Sequence, residues 1–180
     1  VLMNSWRDHL LSLLANQPKL TAEQKEAKDL LSSWSGYAEV SEAAYTVVKY
    51  YRKEFMQRIN QLLIARLQAD GLLSSDYDTD KLWLFNRQSE GPLQILRDQA
   101  PAHWLPKGVD SWEQWTLDML NQTLISLSEK HGSVAQARWG AENRLRMHHP
   151  LASALPEFLR SYLNMPADEL DGDSDMPLAQ

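Results

Sequence analysis

The chain contains no cysteine among its 180 residues. This absence excludes a disulfide framework, a thiolate nucleophile, an iron–sulfur cluster and a cysteine-ligated zinc site. Glycine is also scarce, because only seven occur and the closest pair, Gly132 and Gly140, lie eight positions apart. Dinucleotide-binding loops, phosphate-binding loops and the G-x-S-x-G nucleophile elbow all need clustered glycines, so the sequence excludes these three motifs.

The chain also lacks an excess of positive charge. It has 18 Lys and Arg against 24 Asp and Glu, and the formal net charge is −6. Most of the imbalance lies in an acidic, loop-like tail at residues 165–180, which contains no Lys or Arg. A near-neutral body with an acidic tail predicts no nucleic-acid partner. No apolar run approaches the roughly 20 residues that span a bilayer, so no membrane partner is predicted.

The first residues do not show the basic and then apolar pattern of a signal peptide. The chain begins at Val1 rather than Met. We therefore expect it to be a processed or trimmed piece of a larger protein.

Helix signals dominate the rest of the chain. Apolar residues at intervals of three and four predict a first helix from Leu2 to Leu14. Thr21 and Gln24 have the spacing of a capping box, in which the Thr21 hydroxyl accepts from the Gln24 N–H and the Gln24 side chain reaches back. This box predicts a second helix that ends near Gly36.

The most regular pattern predicts one long helix in the first half of the chain. Ser41 is its expected N-cap and Gly71 its expected stop. The helix would be roughly 40 Å long, at about 1.5 Å per residue, so we expect it to pack against something large. Its predicted apolar stripe consists of Ala44, Val47, Val48, Tyr51, Phe55, Ile59, Leu62, Leu63 and Leu67.

Residues 72–109 are predicted to be irregular. A short helix begins near Ser74, Gly91 and Pro92 interrupt the pattern, and residues 93–96 make one or two turns. The predicted fold class is all-α, with residues 1–180 forming a single helical region that includes this irregular segment.

A second strong helix follows the irregular segment. Either Asp110 or Ser111 caps it, and it ends at Gly132. Beyond it, prolines leave room for one short helix at residues 156–162 and for the start of a strand at residues 177–180.

Three features of the sequence are candidates for a site, and a plainer structural interpretation is favoured for each. His148 and His149 are adjacent, and adjacent residues on regular structure point apart, so a structural or surface role is favoured over metal binding. Residues 171–175 resemble the start of a calcium loop, but Met176 stands where that loop needs glycine, which favours a solvated acidic loop. The tryptophans mostly occupy apolar helix positions, which favours core packing. No catalytic, cofactor-binding or metal-binding residue is assigned.

Three stretches resemble the penicillin acylase family. Residues 30–44 read LLSSWSGYAEVSEAA and are similar to the family pattern L-x-x-W-[DN]-G-x-x-x-x-S-x-x-A. Residues 138–151 read RWGAENRLRMHHPL and resemble W-G-x-x-N/H-x-x-x-x-x-H-P-L. Residues 170–177 read LDGDSDMP and resemble the passage that leads back into the family's sheet. The resemblance covers residues 20–180, and its His-Pro-Leu variant looks closest to the branch that contains acyl-homoserine-lactone acylases.

The resemblance implies a parent enzyme with an αββα fold. Such enzymes hydrolyse linear amide C–N bonds of N-acyl substrates with an N-terminal serine, whose own α-amino group acts as base. Here Val1 cannot be a nucleophile, and the family's nucleophile, oxyanion Asn and calcium ligands all lie upstream of the matching stretches. We therefore expect this chain to be a structural, helical segment of the β-subunit that is inactive alone, with any structural calcium elsewhere in the parent.

The expected partners are the remainder of the parent acylase, that is, its α-subunit and β-subunit core. Apolar faces normally covered by them would allow self-association of the isolated chain. The resemblance also implies a periplasmic location for the parent, because members of the family are typically exported to the periplasm. Two alternatives stay open: a stand-alone helical partner-binding domain without catalytic activity, and a metal-dependent enzyme that uses the histidines and the acidic tail.

The resemblance also suggests roles for two Trp and Gly pairs. Trp34 would anchor a bend between two helices, and Gly36 would provide positive φ there. Trp139 and Gly140 would make a comparable corner. The alternative is that one of these pairs lines an acyl-chain pocket.

Overall fold

The computed structural model describes residues 2–76, 90–145, 156 and 168–172. These residues are mainly α-helical, which confirms the predicted fold class. The elements are α1 (Leu2–Ala15), α2 (Ala22–Ser33), α3 (Ala43–Ala69), α4 (Glu90–Gln99), a 3-10 turn (Ala102–Trp104), α5 (Trp112–His131), α6 (Trp139–Glu142), β1 (Arg144–Leu145) and β2 (Asp168–Glu169). None of the described helices has the length and hydropathy needed to cross a bilayer.

Packing divides the chain into two compact units. Unit 1 contains residues 1–49 and 124–180, and unit 2 contains residues 50–123. The prediction of a single helical region stays a prediction.

Helices α1 and α2 open unit 1. Trp6, Leu10 and Leu14 on α1 are fully buried, as the period of three and four requires. The predicted capping box of α2 is confirmed: the Gln24 N–H donates to Thr21 Oγ1 at 3.2 Å, and the Thr21 N–H donates to Gln24 Oε1 at 2.9 Å.

Helix α3 begins at Ala43, so the prediction that Ser41 is its N-cap is wrong. The reason is tertiary, since the carbonyl oxygens of Val40 and Glu42 are bonded to another segment of unit 1. The helix end at Gly71 is confirmed, with φ +69° and a bond from Leu72 N–H to Leu67 O at 2.8 Å.

The predicted apolar stripe of α3 is buried along its first part. Its fully buried residues are Ala44, Val47, Val48, Tyr51, Phe55 and Ile59. Farther along, Leu62, Leu63 and Leu67 are half-buried, and Ile64 is buried instead.

In unit 2, α4 is longer than predicted. The interruption expected at Gly91 and Pro92 is absent, because both lie in the first turn of α4, where proline's missing N–H has no helical partner to lose. Arg52 holds this turn through Glu90, with 2.6 Å between the guanidinium Nη2 and the carboxylate.

The Trp112 indole N–H fixes the segment that leads into α5, because it donates a hydrogen bond to Pro101 O at 2.9 Å. Of the two N-caps predicted for α5, Ser111 is the one observed: its Oγ accepts from the Gln114 N–H at 3.1 Å. The helix ends at His131, before Gly132 with φ +91°, as predicted.

Several predictions fall outside the described residues. These are most of the short helices predicted after Ser74 and at residues 156–162, the strand start at residues 177–180, and His148 and His149. The antiparallel pair β1–β2, in which Arg144 lies opposite Glu169, was not predicted.

Candidate functional site

Three stretches that are distant in the sequence meet within unit 1. We call this meeting point the junction and define it as residues 38–42, 138–145 and 168–172. Each of the three segments overlaps one of the stretches that carry the family resemblance. Sequence reasoning identified the stretches but gave no sign that they contact one another.

The first two segments are joined through their backbones. The Trp139 N–H donates to Glu42 O at 2.8 Å, and the Gly140 N–H donates to Val40 O at 2.9 Å. The first backbone N–H groups of α6 have no acceptor within their own helix, and they therefore bond to the segment that leads into α3.

The third segment pairs with both of the others. Toward the first segment, the Gly172 N–H donates to Ala38 O at 2.7 Å, and Asp171 Oδ1 accepts from the Val40 N–H at 2.5 Å. Toward the second, Leu170 and Asn143 exchange two bonds: Leu170 N–H to Asn143 O at 3.0 Å, and Asn143 Nδ2 to Leu170 O at 2.9 Å. The side chain of Asn143 is buried by this exchange.

Gly140 lies against a residue of each of the other two segments. A Cβ at this position would lie 2.6 Å from both Val40 Cγ1 and Glu169 Oε2. Gly140 does not have a positive φ. Lack of space therefore explains the glycine at position 140. Backbone conformation explains the glycine at the other predicted corner, Gly36.

The bend at Trp34 and Gly36 has the predicted form. Gly36 has φ +91°, and the Trp34 indole donates to Tyr37 O at 2.7 Å across the bend. Trp34 is 5% exposed. Positive φ therefore explains Gly36, and the buried indole fixes the turn around it.

One tyrosine connects the two tryptophans. The Tyr45 ring centroid lies 6.0 Å from that of Trp34 and 4.8 Å from that of Trp139, edge-on to the latter. Lys49 Nζ lies 4.2 Å from the centroid of the Trp139 ring. Both indoles are thus occupied by packing within unit 1, which favours the structural interpretation of these residues.

A family model described as penicillin amidase matches residues 2–180 of the chain. The chain belongs to the penicillin amidase family. This match confirms the resemblance drawn from the three stretches and extends it to α1. Comparison with curated proteins finds no match.

The junction of this penicillin amidase family chain contains several carboxylates. Glu169 lies between two arginines, 2.9 Å from Arg144 Nη2 and 3.6 Å from Arg138 Nη1. Burial, and next the negative charge of Glu39, raise the pKa of Glu42 above its ordinary value of 4.5.

Glu142 connects α6 to the end of α5. Its side chain is 7% exposed and lies 2.6 Å from His131 Nε2 and 2.7 Å from Lys130 Nζ. His131, one of the five histidines in the chain, is thus placed as a partner of a buried carboxylate.

Metal binding gains no support from the described part of the chain, where no group of three or more His, Asp or Glu could hold an ion. The carboxylate of Asp171, the first residue of the loop that resembled a calcium site, accepts from a backbone N–H. Asp173 and Asp175 lie outside the described residues.

Sequence reasoning missed the individual roles of Asn143, Asp171 and Glu142. Each lies within or beside a stretch that was singled out as a whole. Their partners lie between 11 and 131 positions away and on other elements, so the spacing within one helix contains no signal for them.

Proposed function

We propose that this chain is the helical, non-catalytic part of a penicillin amidase-like hydrolase that cleaves linear amide C–N bonds of N-acyl substrates. The hydrolase-like family is established by the match over residues 2–180. The observation that supports the structural role is the junction. The three family-like stretches are used to hold one another, through backbone bonds and through a glycine with no room for a side chain.

In this proposal the nucleophile is an N-terminal serine that lies outside the chain. Its α-amino group has an ordinary pKa of about 8 and acts as general base toward the neighbouring hydroxyl. Backbone N–H groups of the parent would stabilise the oxyanion. This chain would supply a rigid helical layer and no reacting group.

The proposed partner is the remainder of the parent acylase, its α-subunit and β-subunit core. Large apolar side chains left on the surface are the proposed contacts, and in the isolated chain they would permit self-association. They are Tyr37, Leu72, Ile95, Ile125 and Leu145. Family membership leads us to propose a periplasmic location as well, and a structural calcium, if one is bound, elsewhere in the parent.

One observation favours a second candidate function, a stand-alone helical partner-binding domain. The first part of the α3 stripe, including Val48, Tyr51 and Phe55, is already fully buried by residues of this chain. A helix shaped to pack against a missing neighbour would leave more of that stripe exposed.

The experiment compares two purified proteins, the 180-residue chain and the product of the complete reading frame that encodes it. Release of carboxylic acid from phenylacetyl and long-chain acyl amides is measured for both. We expect activity only in the complete product, and we expect loss of that activity when the serine freed at its processing site is changed to Ala.

Turnover by the 180-residue chain alone would overturn the structural role. A reading frame that begins near Val1 and ends near Gln180, with no activity toward either amide, would favour the partner-binding domain.

A further inference from the structure

The chain contains two Asp-Gly dipeptides, Asp70-Gly71 and Asp171-Gly172. Aspartate before glycine is prone to spontaneous isomerisation, because glycine has no side chain to hinder attack by its own backbone nitrogen. We propose that Asp171 is a modification site, at which isomerisation is restrained by the junction and, once it occurs, prevents the junction from re-forming.

The reaction needs only water. The Gly172 backbone nitrogen attacks Asp171 Cγ and loses its proton, while the carboxyl group loses an oxygen as water, so a five-membered imide forms. A water molecule then hydrolyses the imide at the former main-chain carbonyl. The product is isoaspartate, which has the same atoms as aspartate but is linked through its side-chain carbon, and nothing is oxidised or reduced.

Both reacting groups of Asp171-Gly172 are held by the first segment of the junction. The attacking nitrogen donates its proton to Ala38 O at 2.7 Å. The carboxylate accepts from the Val40 N–H at 2.5 Å. The nitrogen and Cγ can approach each other only when these two bonds are open, so the rate reports how often the junction opens locally.

The product cannot restore this pairing. Isoaspartate adds one methylene to the main chain and replaces the Asp171 side chain with a carboxylate on the α-carbon. The Gly172 N–H then lies out of register with Ala38, and the bond from the Val40 N–H to Oδ1 is lost.

Gly140 gives a way to open the junction selectively. A Cβ at Gly140 would meet Val40 Cγ1 at 2.6 Å, and the backbone of Val40 is what holds the Asp171 carboxylate. Gly140→Ala is therefore expected to accelerate isomerisation at Asp171. A matched control is Gly91→Ala in α4, where an added Cβ meets nothing within 4 Å.

Asp70-Gly71 is an internal reference in unit 2. Asp70 is exposed, and a Cβ at Gly71 would meet nothing within 4 Å. Its rate should not respond to a substitution at Gly140.

The experiment incubates the full 180-residue chain at neutral pH and physiological temperature, in buffer and in denaturing urea, and quantifies isoaspartate at each site by peptide-mapping mass spectrometry. We expect Asp171 to react at least about tenfold more slowly in buffer than in urea, which corresponds to an opening free energy of about 1.4 kcal/mol. The variant Asp171→Glu cannot form a five-membered imide. Loss of the isoaspartate signal in this variant therefore assigns the signal to Asp171.

Equal rates at Asp171 in buffer and in urea would overturn the proposal without any variant. Among the variants, Gly140→Ala should raise the rate at Asp171 and leave the rate at Asp70 unchanged. The same rate at Asp171 in Gly140→Ala and Gly91→Ala would also overturn it.

Discussion

Two glycines in the family-like stretches serve different physical purposes. Gly36 has a backbone conformation that side chains disfavour, with φ +91°. Gly140 has an ordinary φ and is confined by the side chains of Val40 and Glu169. A sequence pattern of Trp and Gly predicts a corner in both places. It does not reveal which of the two constraints applies.

Gly140→Ala is expected to lower the free energy of unfolding by about 1–3 kcal/mol, because it overpacks a site without room for a methyl group. Urea denaturation followed by circular dichroism measures this change. Gly91→Ala should cost less than Gly140→Ala, since beyond its chain neighbours its Cβ would meet nothing within 4 Å, although a side chain directly before Pro92 is disfavoured in a helix. Equal stabilities of the two variants would contradict the close packing at Gly140.

Glu42 predicts a pH dependence. Its pKa is raised in the folded chain, so folding favours the protonated carboxyl, and this contribution is complete below the ordinary value of 4.5 and is lost as pH rises through the folded pKa. Glu42→Gln should therefore be more stable than the unmodified chain at pH values well above 4.5, and the difference should vanish in more acidic solution.

Thermal unfolding across that pH range checks the prediction for Glu42. Glu39→Gln is the matched comparison: it removes the second cause of the shift, so its effect should have the same sign and be smaller. A stabilisation by Glu42→Gln that persists unchanged in acid would refute the assignment.

At the scale of elements, helix ends set by local chemistry were predicted well. The capping box at Thr21 and the stop at Gly71 depend on residues within one or two turns, and the sequence contains all of them. The start of α3 and the pairing of β1 with β2 were not predicted. Both depend on hydrogen bonds to distant segments, which override local preferences.

The link between α5 and α6 is expected to depend on Glu142. Glu142→Gln removes a buried charge that faces both His131 and Lys130, and should cost about 1–3 kcal/mol of stability. Lys130→Gln should cost no more than about 1 kcal/mol, because the Lys130 side chain is 56% exposed. Chemical denaturation of both variants measures the two losses of stability. A larger loss for Lys130→Gln than for Glu142→Gln would contradict the prediction.

At the scale of the whole molecule, the net negative charge opposes association between copies of the chain. The formal net charge of −6 at pH 7 falls to zero near the sequence pI of about 5.3. Among the described residues, the large apolar side chains with the highest exposure are Leu72 at 75% and Ile95 at 55%, and both are in unit 2. Scattered residues of this kind are common on protein surfaces, and they matter most when repulsion is weak.

Self-association of the isolated chain is therefore expected to increase as pH approaches 5.3. Sedimentation velocity at neutral pH and near the pI measures it. The double substitution Leu72→Gln and Ile95→Gln should reduce the associated fraction, while Ser32→Gln, a change at an exposed polar residue of α2, should not. An associated fraction that changes neither with pH nor with the double substitution would argue against these contacts.

The candidate site was predictable only in part. The stretches around Trp34, Trp139 and Asp171 could be singled out by their likeness to a family. Their meeting could not, since it requires bonds between residues as far apart as Val40 and Asp171. No periodicity or capping signal extends over such a distance.

The bond between Val40 and Asp171 spans 131 positions of the chain. During synthesis at about 5–20 residues per second, Val40 leaves the ribosome on the order of ten seconds before its partner exists. Through that interval the Val40 N–H and the Ala38 carbonyl lack the partners that Asp171 and Gly172 later supply. A message truncated shortly before the codon for Asp171 would yield a polypeptide in which the first two segments of the junction can still pair, but without the bonds that the third segment makes to Ala38 and Val40.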